Sequence, residues 1–114
     1  MTGDRMRRVD EAVREVLSDA ISQQVKDPRV GFVTVTAVET APDLRRARVF
    51  VSVLGDRGVR RRSMQGLQSA HGVLQRAVAS ELRLKHTPTL EFLYDDSTDR
   101  GMRIQELLEE EGRP

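Results

Sequence analysis

The sequence has no cysteine and no tryptophan. Without thiols there is no disulfide framework and no thiolate zinc site. A cysteine-free chain also fits a reducing compartment. Aromatic residues are few: Phe32, Phe50, Phe92 and Tyr94 are all of them. That scarcity argues against a sheet that reads bases mainly by aromatic stacking. Lysine is nearly absent as well, since Lys26 and Lys85 are the only two among 19 basic residues. No apolar run approaches the roughly 18 residues of a membrane span. The polar, basic start from Met1 to Arg8 is not followed by an apolar signal-peptide core. The expectation is a soluble cytoplasmic protein of one domain, because 114 residues support a single core.

What the chain does have is arginine, and its distribution is uneven. Residues 1–86 carry 16 Lys+Arg against 10 Asp+Glu, whereas residues 87–114 carry 3 against 8. The net charge of +1 hides this contrast. A planar guanidinium grips phosphate in a forked geometry, so an arginine-rich body suggests an anionic partner. A GC-rich genome accounts for the same composition without any function.

Hydrophobic spacing sets the element order. Val9, Val13, Val16, Leu17, Ala20, Ile21 and Val25 recur at three and four residues and predict an N-terminal helix. Asp4 is its candidate cap and Pro28 its stop. The basic first turn, Arg5, Arg7 and Arg8, opposes the helix dipole, which hints that these arginines serve something other than helix stability. Phe32 to Val38 is β-branched and unbroken, and Ala47, Val49, Val51 and Val53 alternate with Arg48, Phe50 and Ser52. With a turn at Ala41-Pro42-Asp43, the two form a hairpin. Gly55 to Arg62 reads as a basic loop. A second helical stripe follows through Met64, Leu67, His71, Leu74, Val78 and Leu82, interrupted by Gly72. Leu90 to Tyr94 is a third strand. Asp95, Asp96 and Asp99 are cap and dipole partners for a short last helix through Met102, Ile104, Leu107 and Leu108, rather than a Mg²⁺ site.

The order is α-β-β-α(kink)α-β-α, an α+β fold with helices on one face of a three-stranded sheet. It is similar to a type II KH domain. The match to one family is closer. The segments 27–36 (Asp-Pro-Arg-Val-Gly-Phe-Val-Thr-Val-Thr) and 43–52 (Asp-Leu-Arg-Arg-Ala-Arg-Val-Phe-Val-Ser) resemble the two strand entries of the ribosome-binding factor A family. Ala70-His71-Gly72 resembles that family's Ala-x-Gly kink, which stands in place of the KH Gly-x-x-Gly loop. The stretch from Leu82 to Phe92, then Asp95-Asp96-Ser97, Gly101 and Ile104, completes a resemblance running from about Arg5 to Leu108, with residues 109–114 as a tail. One departure is Gln75, where many members have arginine.

The resemblance implies an RNA-binding assembly factor. It would bind the immature 30S subunit and its 16S ribosomal RNA and aid late maturation, with no cofactor, membrane or small-molecule substrate. It is expected to be monomeric when free. The residues agree in kind, because arginine-rich surfaces bind RNA phosphates with salt-sensitive affinity. The expected RNA-binding set is Arg45, Arg46 and Arg48 at the hairpin; Arg57, Arg60, Arg61 and Arg62 before the helix pair; Ala70, His71 and Gly72 at the kink; and Arg76 and Lys85 after it. These arginines could gather into one surface, or could be a scattered solvated face. The small residues at the kink would let backbone approach backbone, or would serve packing. His71 lies on the apolar stripe and reads as a packed side chain, since no catalytic partner stands at a recognisable spacing. No metal ligand set is evident. A competing reading is a protein-interaction module that docks through the acidic last helix, with Glu106, Glu109, Glu110 and Glu111.

Overall fold

The computed structural model describes residues 2–97. The expected last helix and its acids lie outside the described residues. The elements are α1 (Thr2–Gln23), β1 (Val33–Thr40), β2 (Arg46–Val53), α2 (Arg57–Ser69), α3 (His71–Leu82) and β3 (Thr89–Tyr94). The sheet order is β1-β2-β3. β1 runs antiparallel to β2, and β3 runs parallel to it. A parallel neighbour needs a crossover longer than a tight turn, and α2 and α3 supply it.

Alternation along β2 sorts its side chains. Ala47, Val49, Val51 and Val53 are buried, while Arg46 and Arg48 are exposed. Val35 and Val38 of β1, and Leu90 and Phe92 of β3, join them in one core with Val13, Leu17 and Ala20 of α1 and Leu67, Leu74 and Val78 of the crossover. The inner face of the sheet thus lies under the helices, as the period-2 and period-3.6 patterns require. Among the described residues no helix is long and apolar enough to cross a membrane.

Four local expectations are corrected. Helix α1 starts at Thr2, so Asp4 sits inside the first turn, 3.8 Å from Arg7, instead of capping it. Its far end is Gln23, four residues before Asp27; Val25 N–H still bonds Ala20 O in a widened turn. The register of β1 slips between Val35 and Ala37, leaving Thr36 as an extra residue. Its hydroxyl turns to the open face and donates to Asp95 Oδ2 at 2.6 Å. The fourth correction bears on function: the basic stretch from Arg57 to Arg62 is helix, not loop.

Candidate nucleic-acid interface

Helix α2 begins at Arg57 because Asp56 caps it. The Asp56 backbone is extended, and its Oδ1 accepts the Val59 N–H at 2.9 Å. Arginine is itself a good helix former, so one cap suffices to draw the basic stretch into the helix. Four arginines then occupy the first two turns with no acid in the first. Cations there meet the positive end of the helix dipole, which is unfavourable for the isolated helix.

The arginines divide by burial. Arg57, Arg61 and Arg62 are exposed. Arg60 is half-buried, with its guanidinium carbon 5.0 Å from the Tyr94 ring centroid, so it serves as a packing cation as well as a charge. Arg57, Arg61, Gln65 and Gln68 are exposed at three- and four-residue spacing and form one stripe leading to the kink. Arg29 reaches the end of the same helix, where its Nη2 donates to Ser69 Oγ at 2.8 Å. It is also paired with Asp27. The Arg29 guanidinium, followed by its backbone N–H, holds the Asp27 carboxyl down to about 2.

The kink sits at Ala70, which separates α2 from α3 with φ −85° and ψ 6°. Helix α3 starts without a side-chain cap, so no capping side chain occupies the N–H groups of its first turn. Gly72 is exposed, and a methyl group at its Cα would meet only Arg76 Nη1, at 3.5 Å. Gly72 is therefore not small because a neighbour packs on it. The contact also places the Arg76 guanidinium beside Gly72. Packing instead falls on Gly66, where a methyl would lie 2.5 Å from Val30 Cγ2.

Two polar side chains fix the start of α3 to β3. His71 Nε2 donates to Leu90 O at 3.0 Å, and its ring meets Phe92 edge-on with centroids 6.4 Å apart. This is the packed role that its place on the apolar stripe suggested. Gln75 donates from Nε2 to Pro88 O at 2.6 Å and accepts the Leu90 N–H on Oε1 at 3.2 Å. An arginine has no acceptor and could not make the second bond. The glutamine read as a departure is thus a strand-edge anchor, a role visible only once α3 and β3 are adjacent.

The hairpin arginines lie elsewhere. Arg46 pairs in register with Thr89 at the start of β2, whereas α2 follows from its far end. An eight-residue strand spans about 23 Å, so the two basic groups sit at opposite ends of the sheet. Arg48 points to the open face, 3.0 Å from Glu39, with Glu91 as its register partner in β3. That row holds one cation and two carboxylates, and a phosphate there would compete with Glu39. Arg45 and Arg46 are exposed, and the Thr89 N–H bonds Arg45 O at 2.8 Å. Lys85 is also at this end, beside Arg5 and Arg83. The thirteen-residue α2 runs from Arg57, Arg61 and Arg62 back along the sheet to the kink with Ala70, Gly72 and Arg76, which His71 and Gln75 hold beside Leu90, the register partner of Ala47. Among the described residues no group of His, Asp and Glu could hold a metal ion.

The comparisons with known proteins agree with this architecture. The family model described as Ribosome-binding factor A matches residues 5–108. A ribosome-binding factor A of Halothermothrix orenii is 45% identical over 108 residues, spanning 95% of this chain and 88% of its own. One from Anaeromyxobacter sp. (strain K) is 50% identical over 110 residues, spanning 96% and 80%. The crystal structure of ribosome-binding factor A from Thermus thermophilus superposes with a TM-score of 0.69 at 27% identity, over 78% of this chain and 94% of that one. A Thermus thermophilus homology model fitted into a cryo-EM map of a 30S complex gives a TM-score of 0.63 at 28% identity, over 77% and 92%. With a family match over nearly the whole length and relatives at 45–50% identity, this chain belongs to the ribosome-binding factor A family.

Proposed function

We propose that this protein is a non-enzymatic assembly factor that binds the immature 30S subunit and its 16S ribosomal RNA and promotes late maturation of that RNA. The observation that carries the reading is the surface running from Arg57 and Arg61 to Gly72 and Arg76. It is cationic, exposed, and ends at a helix start free of side-chain caps. Phosphate oxygens suit both parts of it: guanidinium groups along α2, and backbone N–H groups at the first turn of α3. The reading is supported by family membership and by the relative whose structure was fitted into a 30S complex.

The surface recognises the RNA backbone and its shape. Of the four aromatic rings, Phe92 is buried and Tyr94 lies under Arg60, whereas Phe32 is exposed but stands before β1, outside the stripe from Arg57 to Arg76. Affinity built on phosphate contacts falls steeply as salt rises. The test is sedimentation of the purified protein with immature 30S particles through sucrose gradients. Co-sedimentation at low salt and release at high salt are expected. A protein that stays at the top of a low-salt gradient contradicts the proposal.

A further inference from the structure

The hairpin end of the molecule, away from the arginines that open α2, holds a second feature whose lining shares no residue with the α2 surface. Arg5 of α1, together with Arg83 and Lys85 just after α3, surrounds a cavity of about 410 Å³. That size lies within the usual range for small-ligand pockets. Met6, Val9, Leu44 and Leu84 give it an apolar wall, and each of them is half-buried. The three cations are exposed, and among the described residues no carboxylate pairs with any of them. Of the acids close in sequence, Asp4 lies beside Arg7, Asp43 Oδ1 accepts the Arg45 N–H at 3.0 Å, and Glu81 lines a different cavity.

The backbone points to the same place. Among the described residues, only Leu44 and Arg83 adopt positive φ without being glycine, at 61° and 40°. Both line this cavity. Leu44 sits in the hairpin turn, where its N–H bonds Ala41 O at 2.8 Å, and Asn, Asp or Gly would be the unstrained residue. Arg83 is the left-handed C-cap of α3, a position that glycine fills at least conformational cost. A left-handed non-glycine residue is strained and persists where its surroundings hold it. The chain places a leucine and an arginine at the two positions best suited to glycine, and both side chains meet at one pocket. The helix-opposing arginine at position 5 acquires a role here too.

We infer that this pocket takes one unstacked ribonucleotide of the bound RNA, with the base against Leu44, Leu84 and Val9 and the phosphate on Arg5, Arg83 and Lys85. The inference rests on the RNA-binding reading for the source of the nucleotide. The pocket's chemistry, an apolar wall rimmed by three cations, is independent of the α2 surface. It would give the protein a second RNA contact at the far end of the sheet, fixing its orientation on the particle as well as its affinity.

The test is titration of the intact protein with adenosine 5′-monophosphate, followed by amide chemical shifts. Shifts are expected at Met6, Leu44, Leu84 and Lys85, and these should exceed any at Arg61 or Gly72, where only the phosphate can bind. Adenosine or inorganic phosphate alone should shift these amides less. The double variant Arg83→Glu, Lys85→Glu should weaken the response by about tenfold or more, as loss of charge-assisted bonds implies, while the unliganded spectrum reports an intact fold. The absence of shifts at the pocket amides would overturn the assignment. So would an equal response to inorganic phosphate or a short oligoglutamate, which would reduce the pocket to a general anion site. A positive titration from a protein that fails to sediment with 30S particles would separate the pocket from the wider functional reading.

Discussion

Gly66 and Gly72 stand six residues apart on either side of the kink and do different work. Gly66 is buried against Val30, with no room for a methyl group. Gly72 is exposed, with only a flexible guanidinium near it. A helix–loop contact accounts for the first glycine. No packing contact inside the described fold requires the second to be small. The two regions around them differ likewise. Around Gly66, Ser63 is fully buried, accepting the Gly31 N–H at 3.1 Å and lying 3.4 Å from Arg29 O, so α2 is locked to the loop before β1. Around Gly72, the exposed groups are cations and a helix start.

The largest effect should come from reversing charge on the open side. Arg57→Glu, Arg61→Glu and Arg76→Glu together should abolish co-sedimentation with 30S particles, with little change in urea stability. Even where residual binding is measurable, the slope of log affinity against log salt should fall by about 3, roughly one for each phosphate no longer neutralised. If that triple variant binds with an unchanged slope, the distinction between a packed side and a working side fails.

The crossed alanine pair sharpens it. Gly66→Ala should lower stability by about 1 kcal/mol in urea melts, the overpacking cost less the gain in helix propensity. Its binding should be normal at temperatures where it is folded. Gly72→Ala should raise stability by up to about 1 kcal/mol, because an exposed helical glycine is replaced by a better helix former, yet weaken 30S binding. The opposite signs, read by the same two assays, are the diagnostic feature. Ser63→Ala belongs with Gly66: it should cost about 1 kcal/mol by stranding the Gly31 N–H, and leave binding intact.

The smallest effect is electrostatic. Asp27 is held well below its ordinary value by Arg29, at about 2 in the folded chain against 3.8 for the free side chain. A depressed carboxylate contributes stability that is present above its unfolded value and is lost as pH falls toward the folded one. Urea midpoints of the wild type should therefore decline between about pH 4 and pH 2 more steeply than those of Asp27→Asn. Parallel curves would mean that the Asp27–Arg29–Ser69 contact does not hold the end of α2.

Much of this was legible from the residues, and the exceptions have physical causes. Alternation in Ala47–Val53 and the stripe from Val9 to Ile21 marked the strand and helix that build the core, because period and burial coincide there. The break between α2 and α3 was visible in Ala70-His71-Gly72, although the break itself sits at Ala70. Arg57 to Arg62 read as loop because charge density masks helix propensity, and a single capping aspartate reversed the outcome. The extra residue at Thr36 left no mark in a uniformly β-branched run. The division of the basic residues into two poles depends on β2 and β3 being parallel, which places the α2 arginines and the hairpin arginines at opposite ends. Gln75 and Arg83 carry their roles through partners distant in sequence or through backbone conformation, and neither is a spacing pattern.

The most direct measurement is photo-crosslinking of the protein on immature 30S particles, with the peptides attached to 16S ribosomal RNA identified by mass spectrometry. The account predicts attachment within α2 and the first turns of α3, residues 57–76, and weaker attachment near Leu44 and Lys85. Attachment confined to the open face of the sheet, at Thr34, Phe50 or Leu93, would contradict it.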